Sequence, residues 1–419
     1  MKFNKWTLGL AAVGAVSLAS AARADEAKLS QVQTALSDTT ISGYVNSSVN
    51  WTWSPANGSI ANSPAGNIPL QGGKANGFNL DVVQVSIAKP QDETEWASGY
   101  QVSLLFGPDA VGWNPSANSA GDSDFSIQQA YIALRTPVGN GIDWKVGVFN
   151  TIVGYESFDA GSNPNYTRSW GWAVEPTEHT GILGSYKVND ELSFSAGVAN
   201  TLVAGINSRD TYNNGADVNN DVWHKTIMGS ATFAAPSDWG WAAGSAFYAG
   251  MVYGFAGGTS STDATGPGTA SQGGNQVNYY AGATLNSPWK DVTFGAAFDY
   301  VQNLAGDAGA AGVHNNVNVW GLYNTIKATD KLSFNSRGEF WGIDNKGGDG
   351  YDNGISLTET VQYDLWANVI SRLEIRYDHV TRSASGNYIL PNGFGSTASG
   401  STLGDRTSYG LYANLIYKF

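Results

Sequence analysis

Hydrophobic and polar residues alternate with a period of two along most of the chain from residue 41 onward. The last segment shows the pattern most clearly, because bulky apolar residues there occupy every second position: Tyr409, Leu411, Ala413, Leu415, Tyr417 and Phe419. Successive side chains of a β-strand point to opposite faces, whereas a helix would repeat every 3.6 residues. The pattern therefore predicts a chain built from strands.

Sixteen segments carry this alternation and are predicted as strands: 41–53, 77–89, 97–106, 124–136, 142–150, 178–188, 190–201, 222–235, 239–255, 276–287, 289–302, 316–328, 330–343, 354–367, 369–382 and 405–419. Short gaps rich in Pro, Gly, Asn or Asp alternate with long gaps at about 54–76, 107–123, 151–177, 202–221, 256–275, 303–315, 344–353 and 383–404. This order is typical of an all-β, transmembrane antiparallel barrel with short periplasmic turns and long extracellular loops. Merging or splitting one hairpin would change the count to about 14 or 18 strands.

The composition favours a membrane protein. Apolar residues make up 42% of the chain and charged residues only 14%, against about a quarter charged in soluble domains. The longest apolar run of the predicted mature chain, 239–255, has mostly bulky residues at odd positions and mostly Gly or Ala at even positions, so it is predicted to be a strand. Only helices and closed barrels satisfy all backbone groups in lipid. We therefore expect residues 41–419 to form one barrel in the outer membrane of a Gram-negative type of cell.

The first residues resemble an export signal. Lys2 and Lys5 precede an apolar run, and Ala22-Arg23-Ala24 is a small-x-small cleavage site, so residues 1–24 are predicted to be a signal peptide. Residues 25–40 carry apolar residues at helical spacing and are interpreted as a short periplasmic segment, either a helix or a frayed arm.

Charge and cysteine content exclude several classes of function. Removing the three cations of residues 1–24 would move the formal net charge from −13 to −16. Such acidity argues against a nucleic-acid partner. The chain has no cysteine, so it has neither disulfides nor thiol chemistry. No motif indicates a cofactor.

One face of several predicted strands is charged. In 369–382, Leu373, Ile375 and Tyr377 alternate with Arg372, Glu374, Arg376 and Asp378, and the segment 330–343 likewise places Arg337 and Glu339 opposite its apolar residues. Lipid accepts only the apolar face, so the charged face is expected to line a wet lumen, as in barrels of about sixteen strands. The alternative is a plugged interior in which these charges pair with one another.

The longest gap, residues 151–177, is named loop L3. It concentrates aromatic and charged residues that an exposed loop tip has little reason to carry. The functional hypothesis is that L3 folds into the barrel and forms a pore constriction, with carboxylates facing an arginine strip. The candidate constriction residues are Glu156, Asp159, Arg168, Glu175, Glu178, Arg337, Arg372 and Arg376. The alternative is a surface loop packed on its neighbours or on another subunit.

The same region resembles a known family. The segments Gly147-Val148-Phe149-Asn150-Thr151, Gly154-Tyr155-Glu156, Asn163-Pro164-Asn165-Tyr166, Arg168-Ser169 and His179-Thr180-Gly181 are similar to the signature of the β-barrel porins of the OmpL-like group. The resemblance implies an outer-membrane porin, but supplies no substrate. Barrels of this size also imply a homotrimer by analogy, which the sequence itself does not show.

The sequence offers two other kinds of candidate site. The loop around Asp344, Asp349 and Asp352 is dense in oxygen ligands and is a weak Ca²⁺ candidate without EF-hand spacing. A barrel hydrolase would need a catalytic neighbourhood near His179, His224, His314 or His379, and no such motif is found.

The sequence thus predicts a porin for passive diffusion of small polar solutes or ions, not an enzyme, in contact with outer-membrane lipids. A structural or adhesion barrel with a closed lumen is the alternative, and a barrel hydrolase is a more distant one.

Overall fold

The structure is a computed structural model that describes residues 32–33, 38–53, 68–71, 74–113, 124–202, 206, 225–255, 275–304, 315–345, 350–382 and 406–419. The predicted signal peptide, residues 1–24, lies outside this part of the chain. In the described part, no helix is long and apolar enough to cross a membrane.

Strands dominate the fold. A two-residue strand, β1 (Val32–Gln33), precedes sixteen longer ones: β2 (Thr40–Trp53), β3 (Gly77–Lys89), β4 (Ser98–Phe106), β5 (Phe125–Thr136), β6 (Ile142–Asn150), β7 (Glu178–Lys187), β8 (Leu192–Ala199), β9 (Thr226–Ala234), β10 (Ala246–Phe255), β11 (Asn275–Asn286), β12 (Val292–Leu304), β13 (Asn315–Lys327), β14 (Leu332–Asn345), β15 (Gly350–Trp366), β16 (Val369–Arg382) and β17 (Thr407–Lys418). Each of the sixteen pairs antiparallel with its neighbour in sequence.

The ring closes between β17 and β2. Their register runs from Tyr409 opposite Trp53 to Lys418 opposite Tyr44. Just beyond it, the backbone of Phe419 exchanges two hydrogen bonds of 2.9 Å with Gly43. Closure leaves no sheet edge exposed to lipid. The predicted fold, a sixteen-stranded antiparallel transmembrane barrel, is confirmed.

The period-two pattern separates the two faces as predicted. Leu373 and Leu411 on the outer face are 53% and 38% exposed, whereas Arg376 and Tyr412 on the inner face are fully buried. An apolar outer face suits lipid, and the polar inner face is shielded from it.

One predicted strand begins later in the structure than expected. Residues 239–245 are not strand: Gly240–Ala242 form a 3₁₀ turn, and β10 begins only at Ala246. Gly240 and Gly244 have φ of +58° and +78°, and this left-handed backbone cannot continue an extended strand. The turn leaves Trp239 and Trp241 exposed at the end of the hairpin.

Val32 and Gln33, within the segment expected to be a helix or a frayed arm, form a strand. These residues are extended and pair with Ile41 and Thr40 of β2. Since β17 and Phe419 pair with β2 only as far as Gly43, the earlier backbone of β2 is open on that side, and β1 occupies it. Most of the rest of the predicted segment lies outside the described residues.

Within the part of the chain that the structure describes, helical structure is confined to loops and turns. Helix α1 (Pro108–Trp113) follows β4, and within L3 a 3₁₀ turn (Ala160–Ser162) precedes helix α2 (Trp170–Val174). The three buried hydrophobic clusters each combine L3 residues with inward-facing strand residues. The core therefore lies between the loop and the inner wall.

Candidate functional site: loop L3 on the inner wall

Loop L3 begins with apolar residues packed against the wall. Ile152, Val153 and Tyr155 belong to a buried cluster with inward-facing residues of every strand from β6 to β13. The ring of Tyr155 stacks on Tyr323 of β13 with centroids 4.1 Å apart. A Cβ at Gly250 of β10 would lie 2.8 Å from Val153 Cγ1. Because Gly250 has no side chain, the inner face of β10 leaves room for the loop at this position.

Local hydrogen bonds give L3 its own shape. The Asp159 carboxylate accepts from the backbone N–H of Gly161 at 3.0 Å, and the Ser169 hydroxyl accepts from Trp172 N–H at 3.0 Å. These are N-terminal caps of the two short helical turns. The Asn163 amide also bridges both backbone groups of Ser157, at 2.9 and 2.7 Å. The loop is thus braced internally before it meets the wall.

Three arginines of the wall hold carbonyl oxygens of L3. Arg337 of β14 donates to Thr167 O at 2.7 Å. On β16, Arg372 donates to Ala160 O and Asn163 O at 2.8 and 2.6 Å, and Arg376 donates to Arg168 O at 2.6 Å. The acceptors in the loop are the backbone carbonyl oxygens of Ala160, Asn163, Thr167 and Arg168. Hydrogen bonds from a charged donor are about twice as strong as neutral ones.

Carboxylates on the same strands accept hydrogen bonds from N–H groups of L3. Glu374 accepts from the backbone N–H of Tyr166 and Thr167 at 2.6 and 2.9 Å. Glu339 accepts from the backbone N–H of Trp170 at 2.6 Å. Asp378 accepts from the indole N–H of the same Trp170 at 2.9 Å. The wall charges therefore bind both the donors and the acceptors of one loop segment, which we call the backbone clamp: Arg337, Glu339, Arg372, Glu374, Arg376 and Asp378.

The structure brings most of the predicted constriction residues together. Glu156 lies 2.8 Å from Arg337, and Arg168 donates to Phe158 O at 2.6 Å. With Arg372 and Arg376, these side chains are no more than 5% exposed. They contact one another and the loop backbone, so the arginine strip does not face the loop carboxylates across an open gap.

The remaining predicted residues lie elsewhere. Asp159 is half-buried and serves as the cap described above. Glu175 is half-buried at the end of α2, where burial, Asp299 and Glu156 raise the pKa of its carboxyl well above its ordinary value. Glu178 is the first residue of β7 and is buried beside Asn150.

The Ca²⁺ candidate does not form between the two aspartates that are described. Asp344 is exposed and opposite Tyr351, whereas Asp352 is fully buried and opposite Ile343. The strands β14 and β15 extend through most of the predicted loop, and their alternation puts the two aspartates on opposite faces. Asp349 lies outside the described residues. Over the described ranges, no group of three potential ligands could hold a metal ion.

A second cluster of charged residues lies around Lys74, and the sequence pattern did not predict it. Lys74 Nζ, at the end of the first long loop, lies 2.9 Å from Asp109 Oδ1 of α1 and 3.4 Å from Asp81 Oδ1 of β3. It also lies over the Tyr166 ring of L3, 5.4 Å from the centroid. One lysine therefore connects three loops and the wall. A lysine in a loop without periodic pattern gives no sequence signal for such partners.

Burial governs the electrostatics of this second cluster. Burial raises the pKa of Asp109 to about 6, in spite of the opposing effect of Lys74. Burial would lower the pKa of Lys74, but Asp109, Tyr166 and Asp81 together raise it above its ordinary value. Lys74 therefore stays charged.

Several inward-facing side chains of the wall are only partly buried. Gln101, Gln129, Lys145, Ser185 and Tyr248 face inward and are half-buried. The ammonium group of Lys145 lies over the ring of Tyr131, 5.0 Å from its centroid. These side chains are polar or amphipathic, and they lie on strands other than those that carry the clamp.

A closed sixteen-stranded barrel with an apolar outer face, a polar inner face and an inward-folded loop defines the class of outer-membrane porin barrels. The chain belongs to the family described as "Putative beta-barrel porin-2, OmpL-like", whose model matches residues 38–419. The resemblance drawn from the L3 motifs is confirmed, and the protein is an integral protein of the outer membrane.

Solved porin barrels share the fold. An anion-selective porin from Comamonas acidovorans has a TM-score of 0.55 and 12% identity, with 91% of this chain and 99% of that chain covered. OmpF of Salmonella typhi in complex with daunomycin has a TM-score of 0.55 and 12% identity, with 91% and 98% covered. OmpT of Vibrio cholerae in its trimer form has a TM-score of 0.53 and 11% identity, with 91% and 99% covered. No curated protein matches the chain.

Proposed function

We propose that the protein is a porin through which small polar solutes or ions diffuse passively, and that L3 narrows its lumen. The backbone clamp is the observation that carries this proposal, because it fixes the middle of a long loop to the inner wall. The half-buried polar side chains of other strands then line the space beside the loop. Passage down a gradient through such a space needs neither chemistry nor energy input.

In this proposal the eight predicted constriction residues act by positioning L3. The paired charges, Arg337 with Glu156 and Glu339 and Arg376 with Asp378, lie 2.8 to 2.9 Å apart. They exert little field on a passing solute, because each is neutralised by its partner. Their contribution is rigidity, since a loop held by charge-assisted hydrogen bonds keeps a constant pore width. Selectivity then depends on the accessible wall, which includes Lys145.

A closed structural barrel is the second candidate, because the buried ion pairs fill much of one side of the interior. The two functions are separated by planar-bilayer recordings of the purified protein in a salt gradient. The porin function predicts discrete open steps. A correctly folded sample without conductance would favour the closed barrel.

Loop variants test the role of L3. Replacing residues 156–170 by a short Gly/Ser linker should increase the single-channel conductance, because the obstruction is removed. A deletion of equal length within 258–272, in another predicted extracellular loop, is the matched control and should leave conductance unchanged. Equal conductance of both variants would contradict a constriction at L3.

The absence of enzymatic activity is also part of this proposal. His179 Nε2 lies 3.2 Å from Thr151 Oγ1 at the root of L3, a contact that fits a structural role. Hydrolysis of lipid or peptide substrates by the purified protein, if it were lost in the variant His179→Gln, would contradict the absence of enzymatic activity.

By likeness to trimeric porins we further propose a homotrimer. Native mass spectrometry of the detergent-solubilised protein would give the number of subunits.

A further inference from the structure

Glu359 is a charged residue on the outer face of the barrel, where an apolar residue is expected. Glu359 of β15 points outward, between Leu357 and Val361, which are 54% and 39% exposed. Within the described strands, it is the one Asp, Glu, Lys or Arg that faces outward more than two residues from a strand end. It lies four residues from the outward-facing Tyr363, roughly 13 Å along the strand. Glu359 is therefore inside the apolar band, which is about 25 Å tall.

Glu359 belongs to a polar row that crosses three strands. In the strand register, Asn324 of β13 is opposite Ser336 of β14, and Ser336 is opposite Glu359. The Ser336 hydroxyl donates to Glu359 Oε2 at 2.7 Å. We call this row the outer polar strip: Asn324, Ser336 and Glu359. The amide donor of Asn324 is at one end of the strip, and the carboxylate acceptor of Glu359 is at the other end.

The surface beside the strip is uneven. Gly338 of β14 lies between Leu322 and Leu357 of the adjacent strands, which are 67% and 54% exposed. A Cβ at Gly338 would meet only Leu357 Cδ2, at 3.7 Å. Two projecting leucines thus flank a depression that has room for an apolar side chain of a partner.

Hydrocarbon chains are a poor environment for this strip. A carboxylate facing lipid tails has no donors beyond its own protein, and the single hydroxyl of Ser336 leaves most of its acceptor sites unused. A neighbouring protein surface can supply donors and exclude lipid. The strip is therefore better suited to an interface than to lipid.

We propose that the outer polar strip binds the same strip of a second copy of this chain. The strip is self-complementary, because a twofold rotation places the Asn324 amide of each copy toward the Glu359 carboxylate of the other. The ends of the strip are two strand spacings apart, about 9.6 Å. At a strand tilt of about 40° they differ in height by about 6 Å, which the Asn and Glu side chains span together.

All copies have the same orientation in a membrane, so the twofold axis runs along the membrane normal. Ser336 is the middle residue of the strip and lies closest to this axis. A twofold contact of this kind is separate from a threefold interface, which joins two different surfaces. It would join two copies whether or not each also belongs to a trimer.

Disulfide formation tests the contact directly, since the chain contains no cysteine. The variant Ser336→Cys in native-like lipid vesicles should form a covalent dimer on mild oxidation. The matched control is Ala249→Cys, which faces outward on β10 and should remain monomeric. No dimer from Ser336→Cys, or equal dimer from both variants, would overturn the proposal.

A second variant distinguishes pairing from chance collision. Adding Glu359→Leu to Ser336→Cys should lower the dimer yield several-fold, because the acceptor for the partner amide is removed. If Glu359 simply faces lipid, the same change makes the face more apolar and leaves the yield unchanged, which would refute the interface. Conductance of Ser336→Cys measured under reducing conditions tests the pore separately, so failure of one proposal does not imply failure of the other.

Discussion

At the scale of single residues, Arg337 shows how the inner wall uses charge. The residue is 1% exposed, and its guanidinium group lies 2.8 Å from Glu156 and 2.9 Å from Glu339. Burying an ion removes its hydration, so each member of the group is tolerated only while its partners remain. The strength of the clamp therefore depends on complete pairing.

Removing one member tests this dependence. Arg337→Ala should destabilise the barrel by about 3–5 kcal/mol, because two buried carboxylates lose their counter-charge. The measurement is urea unfolding of the protein refolded in vesicles. The control is Lys187→Ala, which breaks the salt bridge with Asp190, whose two side chains are 35% and 66% exposed. It should lower the free energy of unfolding by less than about 1 kcal/mol. Similar losses of unfolding free energy in the two variants would contradict the conclusion that burial makes the ion pairs of Arg337 important.

At the scale of elements, L3 is a loop whose course depends on a few special backbone positions. Gly154 has φ of +115°, and a Cβ there would lie 2.2 Å from Glu175 Oε2. Glycine is thus needed both for the backbone conformation and for the approach of Glu175 to the start of the loop. The entry of L3 into the barrel is fixed at this residue.

A methyl group at this position should disturb the loop. We expect Gly154→Ala to displace the carboxylate of Glu175, loosen L3 and raise both the conductance and its fluctuation. Gly240→Ala is the matched control, since Gly240 also has a positive φ of +58° but has no atom within 4 Å of a Cβ. Single-channel recordings that show the same change in both variants, or in neither, would argue against this role.

At the scale of the whole molecule, the barrel separates two solvents. Leu373 of β16 is 53% exposed on the outer face, whereas Thr232 of β9 is half-buried on the inner face. A charge on the lipid side has no water, but a charge on an accessible inner wall can be hydrated. The same substitution should therefore have different costs on the two faces.

Arginine at these two positions measures the difference. Leu373→Arg should lower the free energy of unfolding by about 2–4 kcal/mol, and Thr232→Arg by clearly less, as measured by urea titration in vesicles. Equal losses would mean that the inner wall near β9 is as dry as the outer face. That result would favour the closed barrel over the porin.

The sequence by itself determined the sixteen strands of the barrel and their two faces. Period-two alternation is a local property, and lipid on one side forces each strand, such as β17, to display it in full. The same locality explains the errors. Trp239 and Trp241 continue the alternation into a turn, and the spacing of residues 25–40 favours a helix although the open edge of β2 binds Val32 and Gln33 as a strand.

The tertiary structure alone decided the partners of the charges. The sequence indicated that L3 and the arginines of β14 and β16 belong together, but not that Arg372 binds loop carbonyls or that Glu374 binds loop amides. Lys74, Asp81 and Asp109 gave no signal at all. Such contacts join residues far apart in the chain, and they depend on barrel curvature and loop path, which no local pattern records. For the same reason, only the register of three neighbouring strands shows that Asn324, Ser336 and Glu359 form one row.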